Sequence, residues 1–167
     1  MFVSETYSLE DCKYWNDGTS ASSFEIPSGA TVTSNGEYLT IGSTSGEKLI
    51  YIPTTLTNSD EWEFSLKLAL KQNNKCLGLM FNDNTYYMSS NANGGKYYCH
   101  FSSDEYWETP SATGDVIIIK RQNGKTSISI NGNQLVNKTV SHKSSFKCGF
   151  YTFNYPQYVD ELKIKQL

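Results

Sequence analysis

Two Asn-Gly pairs stand eight positions apart in the run Val116-Ile-Ile-Ile-Lys-Arg-Gln-Asn-Gly-Lys-Thr-Ser-Ile-Ser-Ile-Asn-Gly-Asn-Gln-Leu-Val136. Each pair supplies two residues that tolerate positive φ, which a two-residue type I′ hairpin turn requires, and each is flanked by β-branched residues. The run therefore predicts three antiparallel strands in a meander. Thr126, Ile128 and Ile130 alternate with Ser127 and Ser129, the period-2 pattern of a strand with one buried face.

The same alternation places Trp62, Phe64, Leu66, Leu68 and Leu70 on one face of Glu61 to Leu70, with Glu61, Glu63, Ser65, Lys67 and Ala69 on the other. Further strands are expected at Glu37 to Ile41, Lys48 to Ile52, Cys76 to Phe81, Thr85 to Met88, Lys96 to Phe101, Phe146 to Phe153 and Tyr158 to Lys165. Gly, Asn, Ser and Pro clusters separate them. Helical periodicity is nearly absent, and a strand every dozen residues predicts an all-β antiparallel two-sheet β-sandwich or jelly roll. The Ser- and Thr-rich stretch Gly18 to Ser34 reads as irregular, and Asn91 to Gly95 as a hairpin loop. A length of 167 residues suffices for one core, so residues 1–167 are expected to form a single domain with an irregular N-terminal segment over about 1–23.

Fourteen basic and 17 acidic residues give a net charge of -3, without the basic run that a nucleic-acid binder needs. No leader with an apolar core opens the chain, and no stretch reaches the roughly 20 apolar residues of a membrane span, so neither nucleic acid nor membrane insertion is expected. Cys12, Cys76, Cys99 and Cys148 have no zinc-type spacing, and the last three read as buried, inert thiols. Aromatic residues make up 14% of the chain, with 12 Tyr, and part of them cluster in polar, Asn-rich segments.

The order of these elements resembles the concanavalin A-like lectin/glucanase superfamily, above all its laminin-G-like and carbohydrate-binding members, over residues 24 to 167. The residues that carry the likeness are Glu61 to Leu70, then Cys76-Leu-Gly-Leu-Met-Phe-Asn-Asp-Asn-Thr-Tyr-Tyr-Met88, the meander ending at Leu135, Gly149-Phe150 and the closing Tyr158-Val-Asp-Glu-Leu-Lys-Ile164. The resemblance implies a jelly roll of two antiparallel sheets, one often concave and carrying a ligand site. It further implies a non-catalytic carbohydrate-binding module whose partner is a glycan or cell-wall polysaccharide. The short, Asn-rich chain also resembles adhesion modules of viral tails and baseplates, which implies a place in a larger assembly on a virion or cell surface.

If Tyr97, Cys99 and Phe101 face the core, Tyr98 and His100 line the opposite surface beside Tyr86 and Met88, with Asn82, Asp83 and Asn84 nearby. Rings for C–H stacking and planar polar groups for hydroxyls are what sugar recognition uses, although an ordinary sheet surface has the same composition. Tyr106 and Trp107 sit in an acidic stretch, Asp104 to Glu108, that reads as a loop; Trp107 there either folds back on the core or stacks on a sugar ring.

Hydrolases of the superfamily carry paired acids in an E-x-D-x-x-E or E-x-D-x-E run, which this chain lacks. Glu61 and Glu63 read as a solvated strand face, while acids brought together from different strands would leave a hydrolase or lyase as an alternative. A structural or protein-binding laminin-G-like domain is the other. Lone His142 reads as a solvated loop residue. Related sandwich sugar binders hold a structural calcium, for which the resemblance would draw on Asp160 with Asp11, Glu5 or Glu10. No cofactor is required by this reading, and a plain polar residue at the start of a strand is the simpler account of Asp160. Asn137-Lys-Thr139 is a glycosylation sequon.

Overall fold

A computed structural model describes residues 12–21, 23–81, 85–89, 91, 93–101, 103–152 and 155–167. Fourteen strands, and no helix, occur among them. One sheet has the order β12 (Asn133–Thr139), β11 (Lys125–Ile130), β10 (Val116–Gln122), β5 (Trp62–Leu70), β14 (Gln157–Gln166), β3 (Leu39–Ser43), β2 (Ala30–Ser34), with β1 (Cys12–Asn16) also paired to β14. The second has the order β4 (Leu49–Leu56), β13 (Phe146–Tyr151), β6 (Gly78–Met80), β7 (Tyr86–Ser89), β8 (Lys96–His100), β9 (Asp104–Pro110). All pairings are antiparallel.

The meander forms as its turns dictate: Asn123, Gly124, Asn131 and Gly132 all have φ between 52° and 82°, and β10, β11 and β12 follow one another in the sheet. Every second residue then faces the other sheet. Trp62, Phe64, Leu66 and Leu68 of β5, Ile117 and Ile119 of β10 and Ile128 and Ile130 of β11 meet Ile50 and Ile52 of β4, Phe146, Cys148 and Phe150 of β13 and Tyr97 and Cys99 of β8 in one apolar cluster. Cys76, Cys99 and Cys148 are buried, as their apolar context predicts, and burial pushes the Cys99 thiol up to about 12.

Four sequence expectations are overturned. Ala30–Ser34, read as irregular, forms β2 because Val32 turns inward between Thr31 and Thr33 and β3 supplies a ladder; Cys12–Asn16 likewise becomes β1 by pairing with β14. Asp104 to Glu108, read as a loop, lies in the edge strand Asp104–Pro110, and the acids and Pro110 suit an edge that must not recruit another chain. His142, read as solvated, is buried at 5% exposure. Its Nε2 lies 2.9 Å from Thr126 Oγ1 and its ring stacks on Phe146 at 4.9 Å. Arg121, also buried, donates to the Val140 carbonyl and to Asn58 Oδ1, and so closes the same end of the sandwich.

One polar side chain ties the sheets together across the core. Gln157 of β14, fully buried, accepts from the Gly78 N–H at 2.8 Å and donates to the Tyr151 carbonyl at 2.5 Å. Gln157→Ala leaves both backbone groups without that partner, and such losses cost about 1–3 kcal/mol. We expect urea denaturation of this variant to show the loss; a midpoint equal to wild type would mean that the strut contributes nothing.

Candidate functional site

The outer face of the six-stranded sheet collects tyrosines. Alternation in β8 sends Tyr97 and Cys99 inward and Tyr98 and His100 outward. Alternation in β9 sends Tyr106 outward at 56% exposure and turns Trp107 inward, half-buried against the core. Strand geometry therefore separates the two rings that the sequence places together, and Trp107 takes the folded-back position. Tyr98 pairs with Tyr106 across the β8–β9 ladder, and the rings stack 5.1 Å apart and 20° from coplanar. His100 Nδ1 lies 2.8 Å from Asp104 Oδ1 beside them. Tyr86 and Met88 of β7 pair with His100 and Tyr98. Asn82 and Asp83 lie outside the described residues.

Two more tyrosines reach this face from strands distant in sequence. Tyr51 of β4 pairs with Gly149 of β13, where a Cβ would stand only 2.6 Å from the Tyr51 ring, so glycine is what lets the ring lie across the strand. Tyr151 of β13 donates to the Glu47 carboxylate. Burial, that carboxylate and the nearby Tyr98 phenol push Tyr151 up to about 12. Burial, with Tyr106 and Asp104 nearby, also raises Tyr98, and burial with Glu25 raises Tyr51. These three phenols accordingly stay protonated hydrogen-bond donors at neutral pH. Beyond Tyr51 a cavity of about 420 Å³ opens at the β4 edge, lined by Glu25, Ile26, Pro27, Leu49 and Tyr51. Five inter-strand steps of about 4.8 Å make the strip from β9 to β4 about 24 Å long. Tyr51 and Tyr151 were missed in the sequence because each sits in an ordinary strand pattern; only strand order brings them beside Tyr98.

Glu61 and Glu63, the acid pair that the sequence offers on one strand, lie away from this face. Glu61 Oε2 accepts from the Asn123 N–H at 2.7 Å, which fixes the first Asn-Gly turn. Glu63 lies on the outer face of the eight-stranded sheet, paired with Lys120 and Lys165.

Asp160, expected to join Asp11 around calcium, contacts the N-terminal segment at Gly18, where a Cβ would come within 2.9 Å of its own. Its Oδ1 is buried without a hydrogen-bond partner. Asp11, Glu5 and Glu10 lie outside the described residues. Among those that are described, no group of three or more acids, histidines or cysteines is arranged to hold a metal. Calcium takes six to eight oxygens, so Asp160 with its described surroundings does not fit such a cage. Burial, with the charge of Glu161 adding and Lys67 opposing, holds the Asp160 carboxyl above its ordinary value. A raised folded-state pKa means that stability is lost as pH rises through it. Asp160→Asn is therefore expected to raise the melting temperature at pH 7 and to change nothing below about pH 3, under the ordinary carboxylate range. A lower melting temperature at pH 7, abolished by a chelator, would show instead that the carboxylate holds a cation.

No protein-family model matches this sequence, and no curated protein sequence does. Solved structures do. A Bacillus subtilis protein of unknown function with a galectin-like fold superposes with a TM-score of 0.68 at 10% identity, over 93% of this chain and 96% of its own. The carbohydrate-binding module CBM66 from Bacillus subtilis gives 0.55 at 12%, over 82% and 95%. The exoplasmic/lumenal domain of VIP36, solved in its Ca2+/Man3GlcNAc-bound form, gives 0.57 at 8%, over 91% and 86%. A sialidase gives 0.61 at 12%; 85% of this chain is matched, but only 16% of the sialidase's length. The fold is thus a galectin-like sandwich of two antiparallel sheets, the architecture that the sequence resemblance implies.

Proposed function

We propose that this chain is a non-catalytic carbohydrate-binding module that grips an extended glycan on the outer face of its six-stranded sheet. The observation that carries the reading is the stacked Tyr98–Tyr106 pair, continued by Tyr151 and Tyr51 along one strip. Sugar rings present apolar C–H faces and a fringe of hydroxyls. Outward-facing tyrosine rings cover the first, while phenols, His100 and Asp104 serve the second. The strip's length suits several linked sugars better than a single one.

The sandwich likeness to CBM66 and to VIP36 with its bound Man3GlcNAc supports glycan binding. The non-catalytic reading rests on Glu61 being bound to a turn and Glu63 facing away from the tyrosines. The recurrence of the fold as a small part of a longer sialidase supports a role within a larger assembly. We assign that assembly to adhesion, on a cell surface or a viral tail, outside the cytoplasm.

A glycan array that includes microbial wall polysaccharides, with a reducing-sugar assay on every hit, tests this. Binding without product is the expected result. Release of sugar would reinstate an enzyme, and a blank array would transfer the weight to a protein-interaction domain.

A further inference from the structure

On the opposite side of the molecule, the outer face of the eight-stranded sheet carries an exposed tryptophan. Trp15 of β1 is 48% exposed and pairs with Lys163 of β14. An exposed tryptophan places a large flat apolar surface in water, which a chain more often buries. Here the ring borders a cavity of about 150 Å³, whose other walls include Ser65 of β5, Val116 of β10, and Glu161 and Lys163 of β14. Val116 is itself 37% exposed.

A second, independent observation singles out the same spot. Glu161 has φ +51°, in the left-handed region that glycine and asparagine adopt at less cost. The register of β14 against β5 slips between Asp160 and Lys163, a bulge around that residue. Bulges re-aim side chains, and a long non-glycine side chain held at positive φ marks strain retained for a reason. This bulge turns Glu161 outward to the cavity that Trp15 borders.

From this we infer that Trp15, Glu161, Lys163 and Ser65 form a second carbohydrate subsite, for a single neutral pyranose ring, independent of the tyrosine strip. The indole and Val116 cover the C–H face of the sugar. The Glu161 carboxylate accepts from two neighbouring hydroxyls, and Ser65 and Lys163 donate to ring or hydroxyl oxygens. One acid and one base leave the cradle without net charge, which favours a neutral sugar over a uronate or amino sugar. The volume lies below the roughly 300 Å³ at which drug-sized pockets begin, so it takes one ring rather than a chain. With the tyrosine strip on the other sheet, the domain is bivalent toward polysaccharide as a monomer, and avidity follows where both faces reach one polymer.

Because the chain has three tryptophans, 5-fluorotryptophan labelling gives a resolvable ¹⁹F spectrum. The probes are methyl glycosides of glucose, galactose, mannose, fucose and N-acetylglucosamine, titrated to high millimolar concentration. At least one is expected to shift the Trp15 signal while buried Trp62 stays still. Glu161→Gly is expected to weaken that titration at least tenfold while raising the melting temperature, since glycine relieves the strained backbone. The Trp15 response should persist in a Tyr98→Ala/Tyr106→Ala double variant, which separates this subsite from the tyrosine strip. Silence of Trp15 toward every glycoside, an unchanged titration in Glu161→Gly, or loss of the response in the tyrosine double variant would each overturn the assignment.

Discussion

Replacing Tyr98 and Tyr106 together with alanine is expected to lower the affinity for the domain's glycan about 30-fold or more, with the melting temperature little changed. Anchoring aromatic residues cost at least about 2 kcal/mol when truncated at the centre of an interface, and each 1.4 kcal/mol is tenfold. The two rings form one stacked unit, so either single substitution should already forfeit much of the effect and the pair should be less than additive. Tyr106 is exposed and Tyr98 half-buried on the outer face, so the core loses little. Trp107→Ala supplies the contrast. Its ring lies against the core, so it should lower stability and leave affinity within a factor of two. Isothermal titration with an array-selected oligosaccharide and thermal melts of these four variants separate these outcomes. A reversal, with Trp107 carrying affinity and the tyrosines none, would move the site off this face.

Trp62→Ala should be the most damaging single change to the fold. Phe/Trp→Ala truncations in cores cost about 3–5 kcal/mol, and at about 2–4 °C per kcal/mol for a chain of this size the melting temperature falls by roughly 10 °C. Trp62 is fully buried and holds three rings in edge contact: Phe81 at 5.8 Å, Phe146 at 5.9 Å and His142 at 5.9 Å. It therefore joins the Arg121–His142 end of the sandwich to both sheets. Its indole N–H is buried with no hydrogen-bond partner. Trp62→Phe removes that orphan donor along with part of the ring, so its cost should be well below that of alanine. Denaturant melts would show the difference; equal losses for Phe and Ala would mean that shape alone matters there.

Where two adjacent residues decide a structure, the sequence was a sufficient guide. The Asn-Gly turns and the alternation of β5 needed no partner to be read, and their residues lie where those local rules put them. Asp104 to Glu108 misled because an acidic edge strand has a loop's composition; what makes it a strand is the ladder from β8. His142 misled for a related reason, since Ser and Lys flank it while its ring finds Thr126, Trp62 and Phe146 only after folding. The candidate site was half legible. Tyr98 and His100 followed from alternation and Tyr106 from its ring-bearing acidic stretch, but Tyr51 and Tyr151 join them through non-local sheet order, which period-2 patterns do not encode. The opposite fates of Tyr106 and Trp107 follow from a single strand assignment.

The most direct test of glycan binding by the tyrosine strip is a titration followed by NMR of ¹³C-labelled tyrosine rings. The chain has 12 tyrosines, and among the described ones both sheets carry some. An array-selected oligosaccharide should move the ring signals of Tyr51, Tyr98, Tyr106 and Tyr151. It should leave buried Tyr97 in place, together with the edge-on pair of Tyr38, just before β3, and Tyr158 of β14. Movement of Tyr38 and Tyr158 with the four strip tyrosines unperturbed would contradict the assignment outright.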